Sequence, residues 1–269
     1  MNQPDIRHVR RPQGASLVEV TIVVGIIALL IGILIPTAQA VRHQSFITQC
    51  ASHLQQLGTA MTMYVDEHRS LPRTTYAPGA PLTAGTGVRA ADPFGLDGPL
   101  PNDVTASVHL LRRTQKLKAN LFVCPFSDPE RAIVDLVDAR LRSNFTDYRA
   151  NLGYSFAVPY PADGAAMPRV SRLLTKSYIL AADINPGLIG PPDKATPPAL
   201  RTPTRLPTMA NSANHADDGQ NVLYGDGRVD WVTTPLAGPL EDNIFTNRRG
   251  SISVGPIDDL DVMLLPTDD

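Results

Sequence analysis

Leu17-Val18-Glu19-Val20-Thr21-Ile22-Val23-Val24-Gly25-Ile26-Ile27-Ala28-Leu29-Leu30-Ile31-Gly32-Ile33-Leu34-Ile35 is a run of 19 positions that are apolar or small except for Glu19 and Thr21. Coiled as an α-helix at about 1.5 Å per residue it would be about 28 Å long, close to the ~30 Å hydrocarbon core of a bilayer. The run is therefore predicted to span a membrane. Arg7, Arg10 and Arg11 precede it against a single acid, Asp5. That bias keeps the N-terminus in the cytoplasm and sends the remaining chain outward. On the other side, beyond Pro36, Ile47, Cys50, Leu54, Leu57, Met61 and Tyr64 recur at alternating three- and four-residue intervals. This is the pattern of a helix with one apolar face, which leaves Arg42, Gln49, Gln56 and Glu67 on the wet side. A helix from about Ala15 to His68 would be about 80 Å long, its first half in the membrane and its second half packed on a folded domain. Gly25, Ala28 and Gly32 offer small surfaces for helix packing within the membrane half.

Three readings compete for the apolar run. A cleaved secretory signal would use Ala38-Gln39-Ala40 as its site, but the run exceeds the usual ~7–15 residue apolar region and carries a carboxylate. A plain uncleaved anchor explains the length and the arginines. It gives no reason for Glu19, because a lone carboxylate in hydrocarbon costs several kcal/mol and normally marks a function; the bland alternative is a glutamate snorkelling to the bilayer edge.

The third reading takes the residues together. Gly14-Ala15-Ser16-Leu17-Val18-Glu19-Val20 resembles the cleavage motif of type IV prepilins and type II secretion pseudopilins. The resemblance implies that a membrane-embedded prepilin peptidase cuts after Gly14 and that the new terminus, Ala15, is N-methylated. Glu19 is then the fifth residue of the mature chain, and Pro36 the twenty-second, where pilins commonly carry a helix-kinking proline. Ala15 departs from the family, which usually has Phe there. The chemistry agrees with the resemblance, since cleavage creates an ammonium at Ala15 and a buried carboxylate needs a cation. In a packed fibre Glu19 of one subunit would meet the amine of its neighbour and set the axial register.

The implied fold is α+β, a pilin-like lollipop whose long N-terminal helix packs on a small antiparallel sheet domain with long loops. Its parts are a basic leader (1–14), the transmembrane part of the helix (15–36), an amphipathic helix (37–70) and an extracytoplasmic globular domain (71–269). The implied partners are the prepilin peptidase, other pilin or pseudopilin subunits, an inner-membrane assembly platform and the membrane itself. The implied location is the inner membrane, single-pass, with the C-terminal domain periplasmic and a filament as the assembled form.

With 25 Pro and 19 Gly the rest of the chain reads as a loop-rich body. Residues 72–102 form a Pro/Gly-rich connection, after which Asn102 or Asp103 is predicted to cap a helix holding Val104, Val108 and Leu111. Arg112, Arg113, Lys116 and Lys118 are the densest basic stretch and read as its solvated face and end. Leu121-Phe122-Val123 reads as a short strand, and Asp128-Pro129 as the start of a helix with Ile133, Leu136, Val137 and Leu141 on one side. Strands are expected within Tyr148–Val158 and Ser177–Ala182, and an irregular loop at Pro186–Pro207. Val222-Leu223-Tyr224 and Val229-Asp230-Trp231-Val232 flank Gly225-Asp226-Gly227, a hairpin signal.

Asn214-His215 through Asp226-Gly227 resembles the closing element of a large bacterial prepilin-like family with a His-x9-Asp-Gly signature, here with ten residues between His215 and Asp226. Members tend also to carry a helical Cys before an Asn/His-Leu-x-Gln run, matched by Cys50 to Gln56, and a Cys-Pro-x-x-Asp segment, matched loosely by Cys124 to Asp128. His215 is open to three roles: catalytic base, metal ligand, or a histidine hydrogen-bonding the hairpin. Asp217, Asp218 and Asp226 are hard oxygen donors near glycine turns and make calcium the one cofactor worth naming, as in major pseudopilins; otherwise none is expected. Cys50 and Cys124, the two cysteines, form either one disulfide or two buried thiols.

A net charge of −2 and no basic stripe beyond residue 45 argue against nucleic-acid binding. Nucleophile elbow, P-loop and paired zinc histidines are all missing, so no enzyme is expected. The expected function is a structural filament subunit. Its rival is a membrane-tethered extracytoplasmic enzyme or sugar-binding module built on His215, Asp217, Asp218 and Asp226.

Overall fold

A computed structural model describes residues 17–127, 133–187, 211–215 and 217–267, without the side chains of residues 36–40. Gly14 and Ala15, the helix start at Asp128-Pro129 and most of the 186–207 loop lie outside the described residues. The chain divides into two compact units, residues 1–45 and 46–269. A single helix, α1 (Leu17–His68), contributes to both, and its backbone is helical through Pro36.

In the first unit the predicted run Leu17–Ile35 is helical, with a mean hydropathy of 2.9 and none of its residues buried. Its length and composition are compatible with a single-pass membrane anchor. Thr21 Oγ1 donates to Val18 O at 2.8 Å, so that hydroxyl is satisfied within the helix. Glu19 is exposed and enters no ion pair among the described residues.

The second unit is α+β. The part of α1 beyond Phe46 buries Cys50, Leu54, Leu57, Met61, Tyr64 and Val65, the face its periodicity predicts, while Gln49, Gln56 and Glu67 are exposed. Against it lies an antiparallel sheet of β1 (Tyr154–Ala157), β2 (Ile179–Asp183), β3 (Gln220–Tyr224), β4 (Val229–Val232) and β5 (Leu264–Leu265), in the order β4-β3-β2-β1-β5. Helix and sheet approach closely at Gly58, where an added Cβ would sit 2.7 Å from Leu223 Cδ1. Side chains of α1, β1, β2 and β3 share one apolar core with Phe122, Phe145 and Phe245. Burying each large apolar side chain there contributes roughly 1.5–3 kcal/mol.

The predicted hairpin is present: β3 pairs β4 from Gln220↔Val232 to Leu223↔Val229. Gly227 takes φ +85°, a region that glycine enters without a Cβ penalty, and Asp226 Oδ1 accepts from Arg228 N at 3.1 Å to close the turn. The predicted cap is Asp103. Its Oδ1 accepts from the backbone of Thr105 and Ala106 at the start of α2 (Val104–Thr114), and its Oδ2 accepts from Thr86 N at 2.8 Å and Thr86 Oγ1 at 2.6 Å. One buried carboxylate thus caps a helix and fastens the Pro/Gly-rich connection.

Three expectations are corrected. Leu121-Phe122-Val123 is not a strand, because Ala119–Phe122 forms a 3-10 turn that leads into Cys124. Residues 133–141 are not an amphipathic helix; they are irregular apart from a 3-10 turn at Ala139–Leu141, and Leu136 is 91% exposed. Side chains take the backbone groups that a helix needs: Asp135 Oδ1 accepts from Val137 N, and Asn151 Nδ2 donates to Ile133 O. Arg112 is buried rather than solvated. Its guanidinium lies 3.4 Å from Asp135 Oδ2 and donates to the carbonyls of Asp135 and Val137, holding that segment on α2.

Candidate metal centre

Four side chains of different chemistry, distant in sequence, converge inside the second unit. Cys50 comes from the buried face of α1, Cys124 from the segment after the 3-10 turn, Asp183 from the end of β2 and His215 from a 3-10 turn at Ala213–His215. All four are 0% exposed. One donor atom from each lies within 4.8 Å of those of the other three. Both cysteines are free thiols.

The surrounding backbone holds this arrangement by hydrogen bonds. Gly153 N donates to Phe122 O at 2.8 Å, and Gly153 O accepts from Asn214 Nδ2 at 2.6 Å, so the Cys124 and His215 segments are strapped to the same residue at the head of β1. A Cβ on Gly153 would stand 2.5 Å from Cys124 N, which makes glycine a steric requirement there. Asp183 Oδ2 accepts from Asn221 N at 2.7 Å and from Asn221 Nδ2 at 3.1 Å. Asp183 Oδ1 is buried with no hydrogen-bond partner among the described residues. The imidazole of His215 stacks on Phe126, with centroids 5.6 Å apart and planes 7° apart, and meets Trp231 of β4 edge-on at 5.3 Å. These rings fix its plane and bring Nε2 to 3.2 Å from Asp183 Oδ2.

The electrostatics are those of a crowded, dry cluster. Cys50 is lowered to about 7, chiefly because Cys124 hydrogen-bonds to its sulfur. Cys124 is raised by the same bond and by burial, so the pair gives up one proton readily and the second with difficulty. Burial pulls His215 down, yet the Asp183 carboxylate and the Cys50 sulfur outweigh it and leave the imidazole raised to about 9. A cation is therefore favoured at this point, whether a proton on His215 or a metal ion.

The structure brings together Cys50, Cys124 and His215 of the residues singled out in the sequence. His215 touches the hairpin through Trp231, and Asp183 and Cys50 are among its polar neighbours. Asp226 and Gly227, the other end of the signature, are exposed at the hairpin turn. Asp217, Asp218 and Asp226 do not join a metal-competent group among the described residues, so the calcium set is not assembled. Asp183 was missed. It closes an otherwise apolar strand, Ile179-Leu180-Ala181-Ala182-Asp183, and nothing local distinguishes it from a strand-ending aspartate. Compared with family models, curated proteins and solved structures, the chain finds no match among them.

Proposed function

We propose that the protein is a structural filament subunit, a pilin-like prepilin processed after Gly14 and carried in the inner membrane by Leu17–Ile35 until assembly. One observation carries this reading: a 19-residue helical stretch with nothing buried, apolar but for Thr21 and Glu19, belongs to a chain whose second unit builds its own core. Such a segment needs lipid or other copies of itself to cover it, and Glu19 needs a cation within that cover. The amine freed at Ala15 of a neighbouring subunit supplies one, four residues along the chain from the glutamate. The globular unit would then stand on the periplasmic side and decorate the fibre. A tethered enzyme draws less support, because His215 is fully buried and offers no surface to a substrate.

The test is the N-terminal mass of the chain in sheared surface fractions. Ala15 as the first residue, methylated or not, is expected. An intact Met1, or a terminus after Ala40, would overturn the proposal.

A further inference from the structure

We propose that Cys50, Cys124, Asp183 and His215 are the four ligands of a structural zinc ion that fastens α1 to the sheet. This assignment does not depend on filament assembly, since it concerns only the second unit.

The geometry carries it. Zinc held tetrahedrally by sulfur at about 2.3 Å and by nitrogen or oxygen at about 2.0–2.2 Å requires donor-to-donor edges of roughly 3.3–3.8 Å. The four donor atoms all lie within 4.8 Å of one another, and His215 Nε2 stands 3.2 Å from the Asp183 carboxylate. A contraction of about 1 Å in the longest edge, within reach of side-chain rotation, would complete the tetrahedron. The donor set selects the ion class. Two sulfurs, an imidazole and one carboxylate suit zinc or a similar borderline-soft cation and exclude calcium and magnesium, which take oxygen.

The surroundings are those of a ligand shell. Asn221 donates twice to Asp183 Oδ2 and orients the carboxylate, while Oδ1 is buried without a hydrogen-bond partner among the described residues. A polar atom in that condition costs about 1–3 kcal/mol unless something fills its lone pairs. Phe126 and Trp231 hold the His215 ring and keep water out. All four positions are filled by protein and all four residues are fully buried, the arrangement of a closed structural site with no place for substrate. A disulfide between Cys50 and Cys124 would use only two of the four groups and leave the carboxylate oxygen unaccounted for. On binding, each thiol proton is released as its sulfur coordinates the ion.

The full chain, purified in detergent without added metal or chelator, is measured for metal content and, after denaturation, for free thiols. About one zinc and two free thiols per chain are expected. Stripping the zinc with a chelator should lower the Tm of the body, and zinc alone should restore it. Replacement by Co(II) should give thiolate-to-cobalt charge-transfer bands with the d–d bands of a tetrahedral site. Asp183→Asn and His215→Ala should each weaken zinc at least 10-fold in competition with a chromophoric chelator. Cys124→Ser should remove part of the charge-transfer intensity. Should a ligand variant fail to fold, the cobalt spectrum of the unaltered chain decides, because a spectrum without sulfur character overturns the site. A Cys50–Cys124 disulfide in the isolated chain, or no zinc uptake by the fully reduced chain, overturns it equally.

Discussion

Two stretches of α1 have similar helical backbones and opposite fates. Between Leu17 and Ile35 the apolar side chains point all round the helix and none is buried; between Phe46 and His68 they fall, exposed Met63 apart, on one face, and that face is covered by the sheet. The difference lies in periodicity rather than in hydrophobicity. Apolar residues three and four apart fill a core that the same chain provides, whereas a helix that is apolar on every side finds no such partner within its own unit and must be covered from outside. The first stretch reads as a segment made for lipid or for copies, the second as a piece of domain core.

This contrast can be broken at its strong end. Leu57→Ala should cost the body about 2–5 kcal/mol in denaturant unfolding of the full chain in detergent, because Leu57 is fully buried and its loss leaves a cavity. A loss below about 1 kcal/mol would mean that the helix is not integral to the core. Asp103→Ala comes next, at about 2 kcal/mol, since it removes the cap of α2 and releases the Thr86 loop together. Its midpoint should fall with the slope unchanged.

A smaller effect comes from a pair of acids in the body. Asp242 is raised to about 7 by burial and then by the charge of Asp261, against an unfolded value of about 3.9. Between those two values the folded state binds the extra proton, so this contribution to stability is present below about pH 4 and is lost as the pH rises to about 7. Asp242→Asn should therefore raise stability at pH 8 by about 1 kcal/mol and flatten the fall from pH 5 to pH 8, as followed by thermal unfolding. An unchanged pH profile would discount the pair. The smallest effect sharpens the contrast from the other side: Leu29→Ala, at a site 64% exposed, should change the unfolding of the body by less than about 0.5 kcal/mol. Glu19→Gln should share that silence and, under the filament function proposed above, abolish recovery of the chain in sheared surface fractions.

Both stretches of α1 were legible, the first as an unbroken apolar run and the second as a three- and four-residue repeat, and the hairpin was legible because Gly225-Asp226-Gly227 states its turn chemistry locally. Residues 133–141 misled because their apolar spacing imitates a helix, while Asp135 and Asn151 divert the backbone and Arg112 arrives from another element. The cysteines and His215 were visible as residue types without a shared purpose. What gathers them is the pairing of Asp183 with Asn221 and the Gly153 strap, contacts between residues tens of positions apart. Asp183 belongs to that long-range layer alone, so local pattern had no means of finding it.

The sheet order sets when this domain is able to fold. β1 is bordered by β5, and Ser155 Oγ in β1 donates to Pro266 O, 111 positions further along the chain. A chain synthesised in sequence order cannot close that edge until the segment near Pro266 has been made. Until then β1 presents an open rim to whatever strands pass by. The five-stranded sheet is therefore complete only once that late segment is available to pair.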